Sequence, residues 1–126
     1  MASKITIPDL KKIRVTDPLF SHYADMVAKK MIPVQWEILN GKQGQSRCFC
    51  IDIFRIAGGT LQGEHRGVVF GDTDAYKWLE AVAYCANNGE TGYIPQADEL
   101  IEIIGQAQQP DGYLNTYFTV CHPVLR

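Results

Sequence analysis

Hydrophobic residues follow a helical period soon after the start of this chain. Thr16-Asp17-Pro18 combines a capping side chain with a proline that suits the first turn of a helix. Pro33 is predicted to break or kink this helix, because proline removes an amide donor and clashes with the preceding turn. Asn40-Gly41 is predicted to end it. The apolar positions at helical spacing are Phe20, Tyr23, Ala24, Val27 and Met31.

A second helix is marked at both ends. Asp72-Thr73-Asp74 is predicted to cap it, and it runs to about Ala86 before the stop at Asn87-Asn88-Gly89. Its apolar face is predicted to carry Tyr76, Leu79 and Ala83.

Pro95 begins a third helix and Pro110 ends it. Four apolar residues are predicted to line its buried face: Leu100, Ile101, Ile104 and Ala107. Its polar face carries Asp98, Glu99 and Glu102.

Two shorter segments are less clearly patterned. Residues 48–56 are strongly apolar but short, so the pattern does not separate helix from strand. Residues 4–15 alternate weakly around Pro8, which predicts a short extended arm. With no internal repeat or linker, residues 1–126 are read as one unit that is mainly α.

Composition and charge exclude several functional classes. Hydrophobic residues make up 46% of the 126 residues and charged residues 21%, as in a folded domain. The net charge of −2 is unlike that of a basic nucleic-acid-binding protein. No stretch approaches the roughly 18 apolar residues of a membrane span, so no membrane partner is expected. The N-terminal residues have no apolar signal core, which predicts a cytoplasmic protein.

The four cysteines and three histidines raise the question of a metal site. Zinc held by Cys48, Cys50, Cys121 and His122 is one possibility, but the usual structural spacing is C-x2–4-C and small thiols are common in apolar segments. We therefore expect no metal and no cofactor in this chain. The histidines are scattered without a nucleophile motif around them, so the sequence assigns no catalytic residue.

Residues 69–81 and 107–118 place polar and aromatic groups at two loop–helix junctions. Such groups bind sugars, because carboxylates and amides pair with hydroxyls while aromatic rings cover C–H faces. The alternative is structural: the aspartates cap a helix and Pro-Asp-Gly forms an ordinary turn. Spacing alone favours that alternative.

These two segments carry a family resemblance. They read FGDTDAYKWLEA and AQQPDGYLNTYF, and the chain closely resembles glycoside hydrolase family 127, the β-L-arabinofuranosidase family. Members carry runs like F-x-D-S-D-x-Y-K-W-L-E-A and A-Q-x-x-D-G-Y-L-N-T-Y-F. Supporting matches are the segments 15–18, 32–36 and 54–59. Phe49 and Ile53 stand where many members have a polar His and Asn.

The resemblance implies the first helices of an (α/α)6 barrel, the catalytic domain of a much longer protein. It also implies retaining hydrolysis by a zinc-held cysteine thiolate, with a glutamate as general acid/base. In the family's order these residues lie beyond Arg126, so the zinc is expected in the full-length enzyme and not in this chain. By the same resemblance a polar loop residue near Gln43 or Gln45 reaches the sugar, and Gln45 is preferred.

The sequence is therefore interpreted as the N-terminal fragment of a glycosidase that removes terminal β-L-arabinofuranose, or a related sugar, from plant glycans. The alternative is a non-catalytic stand-alone helical module or an inert truncated gene product. The isolated chain is expected to be inactive and to self-associate through open apolar stripes. The candidate sugar-binding residues are Gln45, Asp72, Asp74, Asp111 and Tyr113.

Overall fold

The computed structural model describes residues 8–42 and 48–125. In these two ranges the chain is helical and contains no strand, which confirms the mainly α prediction. The six α-helices are α1 (Pro18–Met26), α2 (Ile32–Leu39), α3 (Cys50–Ala57), α4 (Asp72–Asn87), α5 (Ile94–Ala107) and α6 (Thr116–Cys121). Short 3-10 turns lie at Leu10–Lys12 and Pro123–Leu125.

The first helix begins where the sequence predicts. The Asp17 carboxylate accepts hydrogen bonds from the backbone N–H groups of Leu19 (2.9 Å) and Phe20 (3.1 Å), and Pro18 occupies the first turn. Of the predicted extended arm, the described part is exposed, and one 3-10 turn at Leu10–Lys12 interrupts it.

Pro33 does not end the helix. Between α1 and α2, the segment Val27–Met31 forms a π-helical turn, and the Ile32 N–H bonds to the Val27 carbonyl five residues earlier. The widened turn relieves the clash between a proline ring and the carbonyl four residues before it. The interruption that the sequence predicts at Pro33 is therefore a π bulge within one long helical segment.

The ambiguous segment 48–56 forms helix α3 from Cys50 onward. Ile51, Ile53 and Phe54 are buried in it, and it packs against α4, α5 and α6. At its end, a Cβ on Gly58 would lie 3.1 Å from the Gln106 backbone, so the close approach of α3 to α5 requires glycine there.

Helix α4 buries a face that only partly overlaps the predicted one: of the three predicted residues, Leu79 packs partly buried against the core. Tyr76 is 36% exposed and Ala83 is exposed, whereas Ala75, Trp78 and Val82 are buried. The Trp78 indole N–H donates to the Ile32 carbonyl at 3.1 Å, which satisfies its buried donor and fixes this face toward α2.

Helix α5 buries most of its predicted face, with Leu100 and Ala107 buried and Ile104 partly so. Ile103 is also buried, but Ile101 is 54% exposed, so its predicted burial is wrong. The apolar stripes of α4 and α5 pack into one core within the chain, where Leu79 and Ile104 are only partly buried. Self-association of the isolated chain stays a prediction.

The described helices include none that is long and apolar enough to cross a membrane.

Candidate functional site

A cavity of about 250 Å³ opens between the start of α3, the segment 65–71 and the first turn of α4. This volume is below the roughly 300–1,000 Å³ of sites for drug-sized ligands, so the cavity has room for one small ring. We call it the polar cavity. Its chemically functional lining residues are Cys48, Cys50, His65, Arg66, Asp72 and Asp74.

Asp72 is buried, with 6% of its surface exposed, and it connects two helices. Its carboxylate accepts hydrogen bonds from the Thr116 backbone N–H (2.8 Å) and from the Thr116 hydroxyl, 44 residues along the chain. These bonds hold the first turn of α6 against the first turn of α4. The prediction that the Asp72 side chain caps α4 is therefore wrong: Gly71 occupies the cap position.

His65 extends this connection. Its Nε2 lies 3.3 Å from the Thr116 Oγ1. The Thr116 hydroxyl proton is directed at Asp72, so we assign the proton between His65 and Thr116 to Nε2. Burial lowers the pKa of His65, and the negative charge of Asp72 opposes this effect. At neutral pH the ring is uncharged, and Nδ1 is left as a hydrogen-bond acceptor.

Arg66 supplies positive charge at the cavity. The central carbon of its guanidinium lies 4.6 Å from the centroid of the Phe49 ring, within the range of a cation–π contact. Phe49 also lines the cavity, as does Ile53. The two apolar residues that depart from the family pattern therefore lie at this cavity.

The two thiols of the cavity differ in their environments. The Cys50 Sγ donates to the Gly71 carbonyl at 3.4 Å. When Cys48 ionises, the Cys50 thiol can donate to its sulfur instead of to Gly71, which lowers the pKa of Cys48 to about 6, although burial opposes that change. The same hydrogen bond and burial raise the pKa of Cys50, so Cys50 stays protonated.

The structure places the predicted sugar-binding residues in different locations. Asp72 and Asp74 both line the polar cavity. The Asp74 carboxylate is exposed and lies 3.7 Å from the Lys77 Nζ. The Asp111 carboxylate accepts from the Tyr113 N–H at 3.0 Å, an Asx turn, and neither residue lines the polar cavity. Gln45 lies outside the described residues.

In the two described ranges, no three His, Cys, Asp or Glu side chains are grouped so that they could hold a metal ion. Cys50 directs its proton at a carbonyl, and the His122 Nε2 lies 3.2 Å from the Tyr117 hydroxyl. The residues of this chain that are described therefore do not fit a zinc site.

Three residues of the site were not identified from the sequence: His65, Arg66 and Thr116. Thr116 lies within the second family segment, but its partner is 44 residues away and nothing in the local pattern connects the two. The sequence feature that pointed most directly to the cavity was Phe49, which lines it and departs from the family pattern.

Comparisons with known proteins agree on one family. Residues 12–123 match the family described as beta-L-arabinofuranosidase, GH127 catalytic domain. Over 122 residues the chain is 31% identical to the non-reducing end beta-L-arabinofuranosidase of Bifidobacterium longum subsp. longum, a match covering 86% of this chain and 18% of that protein.

A solved structure is similar as well. The chain matches Ara127N-Se, a GH127 beta-L-arabinofuranosidase from Geobacillus stearothermophilus T6, with a TM-score of 0.81 and 44% identity over 90% of this chain. It spans 18% of the length of each relative. The helices described above thus correspond to the first helices of an (α/α)6 barrel, and the chain belongs to glycoside hydrolase family 127.

Proposed function

We propose that this chain forms the N-terminal part of the catalytic domain of a retaining glycoside hydrolase. The whole enzyme removes terminal β-L-arabinofuranose, or a related sugar, from plant glycans. One observation carries the proposal: the Asp72–Thr116 hydrogen bonds join the two family segments beside the polar cavity.

The polar cavity suits a neutral sugar ring. The Arg66 guanidinium donates to sugar oxygens, the Asp74 carboxylate accepts from hydroxyls, and the uncharged His65 offers Nδ1 as a second acceptor. A cavity of about 250 Å³ admits one such ring and not an oligosaccharide. The cavity therefore contributes to holding the terminal sugar.

The proposal assigns no bond-breaking group to this chain. The Asp72 carboxylate is occupied by Thr116 and is buried, and the Asp74 carboxylate lies near Lys77 on the surface. The proposal places the zinc expected in the full-length enzyme outside this chain. In residues 8–42 and 48–125, the lack of any group of three His, Cys, Asp or Glu side chains able to hold a metal supports that placement. On this proposal the isolated chain binds sugar weakly and does not hydrolyse glycosides.

The binding half of the proposal is tested by NMR titration of the isotope-labelled chain with methyl β-L-arabinofuranoside. We expect saturable shifts of the Arg66 and His65 side-chain signals, with a dissociation constant in the millimolar range. Arg66→Ala should weaken binding about fivefold, since a hydrogen bond contributes roughly 1 kcal/mol. Lys29→Ala, which removes an exposed cation paired with Asp25 on the first long helix, should leave binding unchanged.

Two results would count against the proposal. Shifts that are equally large with an unrelated pyranoside would favour a general sugar-binding module. Shifts that are absent, or that do not depend on Arg66, would remove the polar cavity from the sugar site.

A further inference from the structure

The polar cavity contains a pair of thiols that the proposed sugar binding does not use. Cys48 and Cys50 flank Phe49 immediately before and at the start of α3, and both line the cavity. Cys48 also lines a neighbouring cavity of about 450 Å³ beside Trp78. Cys48 is half-buried and borders open space on two sides, whereas Cys50 is almost fully buried.

The surroundings of Cys48 favour its thiolate. It precedes the N-terminus of α3, where Phe49 occupies the cap position and its ring offers the helix N–H groups no acceptor. Interactions with the thiol and the backbone N–H of Cys50 lower the pKa of Cys48, whereas burial and the negative charge of Asp74 act in the opposite direction. The guanidinium of Arg66 lines the same cavity. A thiol beside a helix N-terminus is a usual environment of a reactive cysteine.

Cys50 has the opposite character. Its thiol is buried and donates to the Gly71 carbonyl at 3.4 Å, or to the Cys48 sulfur when Cys48 is a thiolate. An outside reagent has little access to it, whereas Cys48 lies two residues earlier in the chain and is the largest influence on the pKa of Cys50. One exposed nucleophilic thiol beside one protected thiol is the arrangement of an attacking and a resolving cysteine.

We propose that Cys48 and Cys50 form a thiol–disulfide exchange site that reacts with small disulfides of the glutathione class. The Cys48 thiolate attacks one sulfur of glutathione disulfide, the S–S bond of the reagent breaks, and one glutathione leaves as its thiolate. The Cys50 thiol then gives up its proton and attacks the Cys48 sulfur. A Cys48–Cys50 disulfide forms, and the second glutathione leaves and takes up that proton. Two electrons pass from the two cysteines to the reagent.

This site is independent of the proposed sugar binding, because it needs only the two thiols and their access to the cavity. It does affect the cavity, since both sulfurs are part of the wall. The other two cysteines provide comparisons within the same chain. Cys121 is exposed on α6, and Cys85 is partly buried on α4, where burial raises its pKa.

The first test measures reactivity in the unmodified chain. The fully reduced protein is treated with a limiting amount of iodoacetamide at pH 6, and each cysteine is quantified by peptide mass spectrometry. A thiol with a pKa of about 6 is half ionised there. An unperturbed thiol, with a pKa of about 8.5, is well under 1% ionised at pH 6. A thiolate of lower pKa is also a weaker nucleophile, which reduces the rate advantage from ionisation by about tenfold. We expect Cys48 to be alkylated about tenfold faster than Cys121, although Cys121 is the more exposed.

The second test follows the products with glutathione disulfide. The unmodified chain should give a Cys48–Cys50 disulfide, mapped in a single peptide. Cys50→Ser and Cys50→Ala should instead accumulate one glutathione per chain on Cys48. Cys48→Ser should give neither product at this site, and Cys121→Ser should behave as the unmodified chain does.

Three outcomes would overturn the proposal. Alkylation of Cys48 no faster than that of Cys121 would remove the nucleophile. A stable glutathione adduct on Cys48 in the unmodified chain would remove the resolving role of Cys50. A disulfide that joins other cysteines would place the exchange elsewhere. Because the unmodified chain alone distinguishes these outcomes, the test stands even if a Cys50 variant fails to fold.

Discussion

Replacing Thr116 with Val should lower the free energy of unfolding substantially, although the substitution changes the side chain very little. The substitution keeps the size and the β-branch of the side chain but removes the hydroxyl that donates to the buried Asp72 carboxylate. The same hydroxyl oxygen lies 3.3 Å from the His65 Nε2, so that contact is lost too. Asp72 keeps its hydrogen bond from the Thr116 backbone N–H at 2.8 Å.

The magnitude follows from the charge and the burial. A hydrogen bond to a charged group contributes about 1.5–3 kcal/mol, and an acceptor left buried without its partner loses hydration as well. We expect the free energy of unfolding to fall by about 2 kcal/mol. For a domain of this size that lowers the melting temperature by about 8 °C. Urea unfolding followed by far-ultraviolet circular dichroism at pH 7 measures the change.

Thr60→Val is the matched control. Thr60 is exposed, and its hydroxyl donates to the Arg55 carbonyl at 3.2 Å. The same chemical change there removes a hydrogen bond that water replaces, so the loss should stay below about 0.5 kcal/mol. A Thr116→Val loss no larger than that of Thr60→Val would refute the argument that the Asp72–Thr116 hydrogen bonds fix α6 to α4.

Three further predictions concern pH, association and metal. Burial lowers the pKa of His65 below its unfolded value near 6.5, so a proton binds the unfolded chain preferentially and the free energy of unfolding should fall as the pH drops below about 6.5. In urea titrations at several pH values, His65→Asn should reduce this pH dependence. Leu19 (59% exposed) and Phe20 (64%) leave apolar surface on α1, so we expect the chain to associate as its concentration rises and the Leu19→Ser/Phe20→Ser variant to associate less. Light scattering that shows a monomer at all concentrations would contradict this. Dialysed protein should contain well under one zinc per chain, and a stoichiometric zinc lost in Cys121→Ser would contradict the absence of a zinc site.

Local signals explain which helices could be predicted from the sequence. Asp17 and Pro18 begin α1 because the carboxylate satisfies helix N–H groups directly beside it in the chain. Pro95 lies in the first turn of α5 for a similarly local reason. Neither feature depends on the rest of the fold, so the pattern alone was sufficient.

Packing across the chain explains what the sequence did not predict. The buried face of α4 is fixed by the Trp78 indole, whose partner is the Ile32 carbonyl on α2. Periodicity alone could not distinguish that face from the neighbouring one that carries Tyr76. The π turn before Pro33 was likewise hidden, because a proline forbids regular α-helix but does not specify which irregular turn replaces it.

In the candidate site, too, local features could be predicted from the sequence and contacts across the chain could not. Its family segments were visible as sequence, and Asp72 and Asp74 do line the polar cavity. Predicting that Asp72 bonds to Thr116 and not to its own helix required knowing that α6 returns to α4. His65 and Arg66 reach the cavity from an irregular segment with no periodic pattern, so the sequence did not single them out as site residues.

Activity of a chimaera tests the central claim most directly. This chain replaces the matching region of the Geobacillus relative, to which it is 44% identical, and hydrolysis of an aryl β-L-arabinofuranoside is measured for the chimaera and for the isolated chain. If this chain supplies the start of the catalytic domain, the chimaera should turn the substrate over within about tenfold of the relative, a difference of roughly 1.4 kcal/mol in the activation barrier. The isolated chain should show no turnover. A folded chimaera without activity, or hydrolysis by the isolated chain, would contradict the account.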